Sequence, residues 1–221
     1  MMKGILPLLT KELKLEFRKQ STLAGIALYL FSLTFICYLT FKLKQQSIQP
    51  VTWSALFWLV ILFAVMNSVA KSFIGERKGL SIYYYYIASP QAIIISKIIY
   101  NAVLAFALSA IAYFLFVVFI GNPVQDVFLF FLTLVLTSWG LASSLSFISA
   151  IAAKASNSHV VMAVLSFPVL IAVLLMAIRL SKNALDGLDF SVSTDELYNL
   201  LAINCISTAL AYVLFPYIWR S

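Results

Sequence analysis

The residues best suited to binding chemistry lie in one short segment, FIGERKGLSIYYYYIASP, which runs from residue 73 to residue 90. Glu76, Arg77 and Lys78 supply charge, and Tyr83–Tyr86 follow them as four consecutive aromatic side chains. Long apolar runs lie on both sides of the segment. Two interpretations are open. The segment is either a loop whose tyrosines lie in the interfacial aromatic belt of a membrane, or a short helix whose charges contact a soluble partner.

The motifs that the sequence lacks limit its chemistry. No G-x-x-x-x-G-K-[ST] motif is present, and Gly75 and Gly79 enclose charged residues instead of forming a phosphate cradle. We therefore expect the chain to be no enzyme, to have no catalytic residue, and to draw any ATP-derived energy from a separate chain. Cys37 and Cys205 lack the spacing of a zinc or redox motif, so no metal site is predicted.

The elements that must position this segment are apolar. Hydrophobic residues make up 63% of the 221 residues and charged residues only 10%, with a mean hydropathy of +1.01. A soluble domain carries about a quarter charged residues, so we expect lipid to be the solvent of this chain. Six apolar runs are each long enough to form a membrane-spanning helix. We place these runs near residues 22–41, 51–70, 98–120, 127–153, 155–178 and 197–219.

The predicted fold class is therefore an all-α membrane protein with six transmembrane helices in a single domain, 1–221. Helices satisfy their backbone polar groups within lipid, and the runs do not alternate as barrel strands do. None of the six runs contains Asp, Glu, Lys or Arg. This absence argues against a proton- or ion-coupled transporter, because such proteins use a buried ionisable group as a relay.

The distribution of basic residues predicts the orientation in the membrane. If the N-terminus is cytoplasmic, eleven of the 15 Lys and Arg residues fall on the inner side and four on the outer side. Both termini are then cytoplasmic. The net charge of +7 is explained by this asymmetry, so nucleic acid is not a predicted partner. The four outer residues are Lys42, Lys44, Arg179 and Lys182.

The N-terminal residues 3–20 have the pattern of an amphipathic helix. Leu9, Leu13 and Phe17 recur every four residues, and basic residues occupy much of the remaining surface. Such a helix lies in the membrane interface, with its apolar side towards the acyl chains and its lysines towards anionic headgroups.

Three motifs, together with this topology, give the chain a family resemblance. The motifs are KELKLEFR at 11–18, ERKGL at 76–80 after the second span, and SPQAIIISK at 89–97 leading into the third. The whole chain resembles the membrane subunit of a type 2 ABC exporter. More narrowly, it is similar to the cytochrome c maturation protein B (CcmB) family of haem exporter permeases. The resemblance implies that residues 3–20 form an elbow helix and that the segment after the second span forms a cytoplasmic coupling helix.

The resemblance also implies a function and partners. The chain would be a permease subunit that couples ATP hydrolysis on a separate CcmA-like ATPase to haem export, or to release of a haem-loaded chaperone. It would form a homodimer in a bacterial inner membrane with the ATPase, a CcmC-like haem-handling membrane protein and a small accessory subunit. The residues implied to contact the ATPase are Glu76, Arg77, Lys78, Gly79 and Leu80.

Haem is expected as cargo and not as a stably bound cofactor. His159 is the single histidine and the one candidate haem ligand. It could supply one axial ligand, but a lone histidine near a membrane interface more often has a structural role.

Two further functions are compatible with the same residues. One is a type 2 ABC permease for another substrate, such as a drug, lipid or polysaccharide. The other is a membrane scaffold that transports nothing.

Small residues recur in the fourth span. The spacing of Gly140 with Ser144 and of Ser146 with Ala150 favours close helix packing, with a polar translocation wall as the alternative.

Overall fold

Six long helices make up most of the part of the chain that the structure describes. The computed structural model describes residues 7–12, 14, 20–44, 49–69, 73, 89–155 and 157–220, and all regular structure in these residues is helical. Residues 7–12 and 14 form an N-terminal helical segment, and a short 3₁₀ helix spans Phe190–Ser193. The long helices are α1 (Gln20–Lys44), α2 (Pro50–Val69), α3 (Pro90–Phe119), α4 (Val127–Ala152), α5 (Ser158–Asp186) and α6 (Thr194–Arg220).

Each of the six helices is long and apolar enough to cross a membrane, as the sequence predicts. The helices extend beyond some of the apolar runs. The run near 98–120 belongs to α3, which has 30 residues and begins at Pro90. At 1.5 Å per residue α3 is about 45 Å long, which exceeds the ~30 Å hydrocarbon core of a bilayer. Residues near its start therefore lie within the helix although they precede the apolar run.

Local sequence determines where several helices begin and end. The Ser89 side chain accepts a hydrogen bond from the Ala92 N–H at 3.3 Å, and the Asp126 carboxylate accepts one from the Leu129 N–H at 3.0 Å. Both satisfy an N–H that has no partner within its helix. Helix α5 ends at Asp186 and is capped by Gly187, whose φ of 65° is left-handed and favours glycine.

Helix α4 lies at the centre of the bundle. It packs against α2, α3, α5 and α6, and more of it is buried than of any other described helix. By contrast, α1 contacts mainly α2 and α3, and most of its surface is exposed. Many of the large exposed side chains of α1 and α5 are apolar, including Leu28, Phe31, Val164 and Phe167. This arrangement is expected when the surrounding solvent is lipid.

Small residues allow α4 to approach α6 closely. Asn204 of α6 is fully buried, and its Nδ2 donates a hydrogen bond to the Leu136 carbonyl of α4 at 2.8 Å. A Cβ atom on Gly140 would collide with Asn204 Oδ1. Further along the same contact, Ser144 donates a hydrogen bond to Ser207 at 3.3 Å. The small side chains of α4 thus serve helix packing, and these contacts do not place them on an open channel wall.

We predict that Gly140→Ala destabilises the protein although alanine is the better helix former. The added methyl group collides with Asn204, and overpacking of this kind costs about 1–3 kcal/mol. Gly25→Ala is the matched control, because nothing lies within 4 Å of its added Cβ. Thermal unfolding in detergent should show a lower Tm for Gly140→Ala and an unchanged or slightly higher Tm for Gly25→Ala. Equal effects of the two substitutions would contradict the close approach of α4 and α6.

Candidate functional site

One end of the bundle has its own apolar core, which we call the base cluster. Its buried members come from the chain before α3, from the start of α3 and from the ends of α4 and α6. The N-terminal helical segment also contributes, through the partly buried Leu8. The buried residues are Phe73, Ile93, Ile94, Ile98, Ala150, Ala211, Phe215 and Trp219. We call this end the base of the bundle, and the end that contains 121–126 and 187–193 the top.

Phe73 attaches the chain that follows α2 to the base cluster. Its side chain is only 6% exposed, and its ring centroid lies 5.4 Å from that of Phe215 in α6. Its backbone N–H donates a hydrogen bond to Ser149 Oγ of α4 at 3.3 Å. The last described residue before the predicted ATPase-contact residues is therefore joined to two helices.

The start of α3 provides the second attachment. Ser89 caps this helix and Pro90 occupies its first turn, where a missing N–H costs nothing. Ile93 and Ile94, within the next turn, are members of the base cluster. Phe73 and the start of α3 thus meet the same cluster. The predicted contact residues Glu76, Arg77, Lys78, Gly79 and Leu80, and the tyrosines 83–86, lie between these points and outside the described residues.

Lys97 is a feature of the base that sequence reasoning missed. In the sequence it directly precedes the third apolar run, but α3 begins at Pro90, so Lys97 lies about two turns inside the helix. Its side chain is only 3% exposed. Its Nζ lies 3.7 Å from Glu12 Oε1 of the N-terminal helical segment and 4.5 Å from the centroid of the Phe73 ring. A carboxylate and an aromatic face both stabilise a buried ammonium group.

The polar surface of α3 continues one turn further into the bundle. Asn101 is buried, and its Nδ2 donates a hydrogen bond to Ser146 Oγ of α4 at 2.7 Å. Lys97 and Asn101 are four residues apart and therefore lie on the same side of the helix. In the sequence, the spacing of Lys97 and Asn101 within an apolar stretch is the pattern that indicates a buried polar contact.

His159, the candidate haem ligand, lies at the second position of α5 and is exposed. No group of three or more His, Cys, Asp or Glu residues that could hold a metal ion occurs in the described parts of the chain. Cys37 and Cys205 are free thiols on α1 and α6. A role for His159 in haem binding therefore stays a prediction.

We predict that Phe73→Ala weakens the base. Removing a buried phenylalanine costs about 3–5 kcal/mol, because the transfer free energy is lost and a cavity remains. Phe114→Ala is the matched control, since Phe114 in α3 is 65% exposed and faces the surroundings. Thermal unfolding in detergent should show a clearly lower Tm for Phe73→Ala than for Phe114→Ala. The opposite order would contradict the attachment of Phe73 to α4 and α6.

Comparison with known proteins agrees with this architecture. The family model described as CcmB protein matches residues 3–216, which is nearly the whole chain. A search of curated proteins gives no match. The match includes the N-terminal helical segment, the first five long helices, α6 up to residue 216 and the residues of the base cluster up to Phe215. Because it extends over far more than half of the sequence, the chain belongs to the CcmB protein family.

Proposed function

We propose that this protein is the permease subunit of an ABC complex in cytochrome c maturation. Membership of the CcmB family implies a haem-exporter membrane subunit of an ABC system, and the match over residues 3–216 is the observation that carries the proposal. The six membrane-length helices fit such a subunit. The sequence has no phosphate-binding motif, so in this proposal ATP is bound and hydrolysed by a separate ATPase chain.

The proposed contact with the ATPase is the segment Glu76–Leu80. Support comes from the way its two ends are held. Before it, Phe73 bonds to Ser149 of α4 and packs on Phe215 of α6, and after it, the chain enters α3 through the cap at Ser89. A force applied to the segment would therefore act on α3, α4 and α6 together. Packed helices transmit such displacements because close-packed interiors are stiff.

The proposed orientation has the base of the bundle on the cytoplasmic side, with both termini. The bias of eleven basic residues to four supports it. The top carries the acidic residues Asp186, Asp189 and Asp195, all exposed in the structure. In this orientation, the base meets a soluble ATPase in the cytoplasm and the top faces the outer side of a bacterial inner membrane.

The proposed cargo is haem, or the energy is used to release a haem-loaded chaperone. His159 would lie at the base and is exposed, so it could touch a haem that enters from this side or from the lipid. Further proposed partners are a second copy of this chain, a haem-handling membrane protein and a small accessory subunit.

We predict that Arg77→Glu/Lys78→Glu abolishes ATPase binding while membrane insertion is preserved. Reversing two charges at a contact replaces attraction by repulsion. The double substitution Arg179→Glu/Lys182→Glu is the matched control, because it makes the same charge change at the top, where both side chains are exposed. Co-purification of the ATPase from membranes is the measurement, and the accessibility of a terminal tag checks insertion.

The outcome separates the proposal from its alternatives. Loss of the ATPase from the 77/78 variant alone supports the contact. An ATPase that binds both variants equally contradicts the contact at Glu76–Leu80. If the wild-type protein binds an ATPase but cells without the protein still mature cytochrome c, a type 2 permease for another substrate is favoured. If no ATPase binds the wild-type protein, the scaffold is favoured.

A further inference from the structure

Lys97 is the one charged side chain that the structure buries among its described residues. Three parts of the chain that are distant in sequence meet at its ammonium group. Glu12 of the N-terminal helical segment lies 3.7 Å from Nζ, the ring of Phe73 lies 4.5 Å away by its centroid, and Lys97 itself belongs to α3. The contact thus connects the N-terminal segment to Phe73, the last described residue before 76–80.

We propose that Lys97 is a positioning residue that fixes the N-terminal helical segment and Phe73 relative to each other, so that a movement of either one is passed to the other. The proposal rests on the proposed function, in which the chain after Phe73 meets an ATPase. It adds that the N-terminal segment is part of the same moving unit. Glu12 and Lys97 are then required for the coupling of ATP hydrolysis to output.

The different exposures of the two partners support this role. A buried ammonium group is costly unless an opposite charge or an aromatic face compensates it. The Lys97 side chain is 3% exposed and that of Glu12 is 17% exposed, so Glu12 can return to water at a smaller cost than Lys97 can. When the N-terminal segment moves away, Lys97 loses the opposite charge that this contact supplies. The attached position of the segment is therefore favoured while Phe73 and Lys97 stay in place.

Lys11 helps to distinguish this contact from an ordinary surface pair. Its Nζ lies 3.1 Å from Glu12 Oε1, closer than that of Lys97. However, its side chain is 33% exposed and that of Lys97 only 3%, so water and salt screen the charge of Lys11 more strongly. The contact with the buried Lys97, and not that with the nearer Lys11, therefore contributes more to holding the Glu12 carboxylate in place.

A direct test measures the position of the N-terminal segment in the isolated chain. Leu8→Cys, in a background of Cys37→Ala and Cys205→Ala, places a thiol where the segment packs on the base cluster. With Lys97→Met or Glu12→Gln, maleimide labelling of this thiol should become at least about tenfold faster, because loss of one partner of a buried pair disfavours the attached position. Lys154→Met is the matched control, since Lys154 is an exposed lysine at the base. Unchanged labelling in both pair variants would overturn the proposal.

A second test measures coupling in the complex with the ATPase. The quantity is the amount of mature c-type cytochrome formed in cells divided by the ATP turnover of the purified complex. We expect this ratio to fall about tenfold or more for Lys97→Met and Glu12→Gln, to be restored in part by Lys97→Arg, and to be unaltered by Lys154→Met. Restoration by arginine is informative because a purely apolar packing role would not depend on charge.

The outcomes separate this inference from the proposed function. If the ratio in both pair variants equals that of the wild-type protein, Lys97 does not position the coupling unit and the inference is overturned. If Lys97→Met lowers the yield of folded protein, Glu12→Gln decides, because Glu12 belongs to the N-terminal segment and not to one of the six long helices, and glutamine has nearly the same shape. If the wild-type chain binds no ATPase, the proposed function fails, and the labelling of Leu8→Cys still tests the contact.

Discussion

The structure depends on the pairing of polar groups along α4. In a hydrocarbon environment a polar group without a partner is expensive, so a hydrogen bond between buried polar groups of neighbouring helices stabilises their contact. Hydroxyls of α4 supply several of these partners: Ser146 accepts from Asn101 of α3, and Ser149 accepts from the backbone of Phe73. On the side of α6, the Leu136 carbonyl accepts from Asn204. Because these bonds have fixed directions, they define the rotation of α3 and α6 about α4.

The small residues of α4 also allow α6 to lie close to it. Gly140 leaves room for the side chain of Asn204, which donates the hydrogen bond to Leu136. Helices gain little from hydrophobic association within lipid, so close contact and hydrogen bonding carry more of their packing energy. The base cluster, to which Phe73 is attached, lies between α3, α4 and α6, and α4 and α6 are the two helices that this contact joins.

Much of the fold could be predicted from the sequence, because membrane helices require long apolar runs and helix ends carry local signals. The turn at Gly121 is an example, with a φ of 107° that glycine adopts readily. The contact between Glu12 and Lys97 could not be predicted, because it joins residues far apart in sequence. Lys97 also follows directly on three isoleucines and a serine, and only the start of α3 at Pro90 shows that it lies inside a helix. The family resemblance indicated the segment at 76–80 but carried no information on how its ends are held.

The central claim is that this chain acts as a membrane subunit of an ABC complex in cytochrome c maturation. The most direct test is purification of the tagged protein from its native membrane in mild detergent, followed by mass spectrometry of the proteins that accompany it. The account predicts a small soluble ABC ATPase together with a haem-handling membrane protein. Recovery of an intact membrane complex without any ATPase would contradict it.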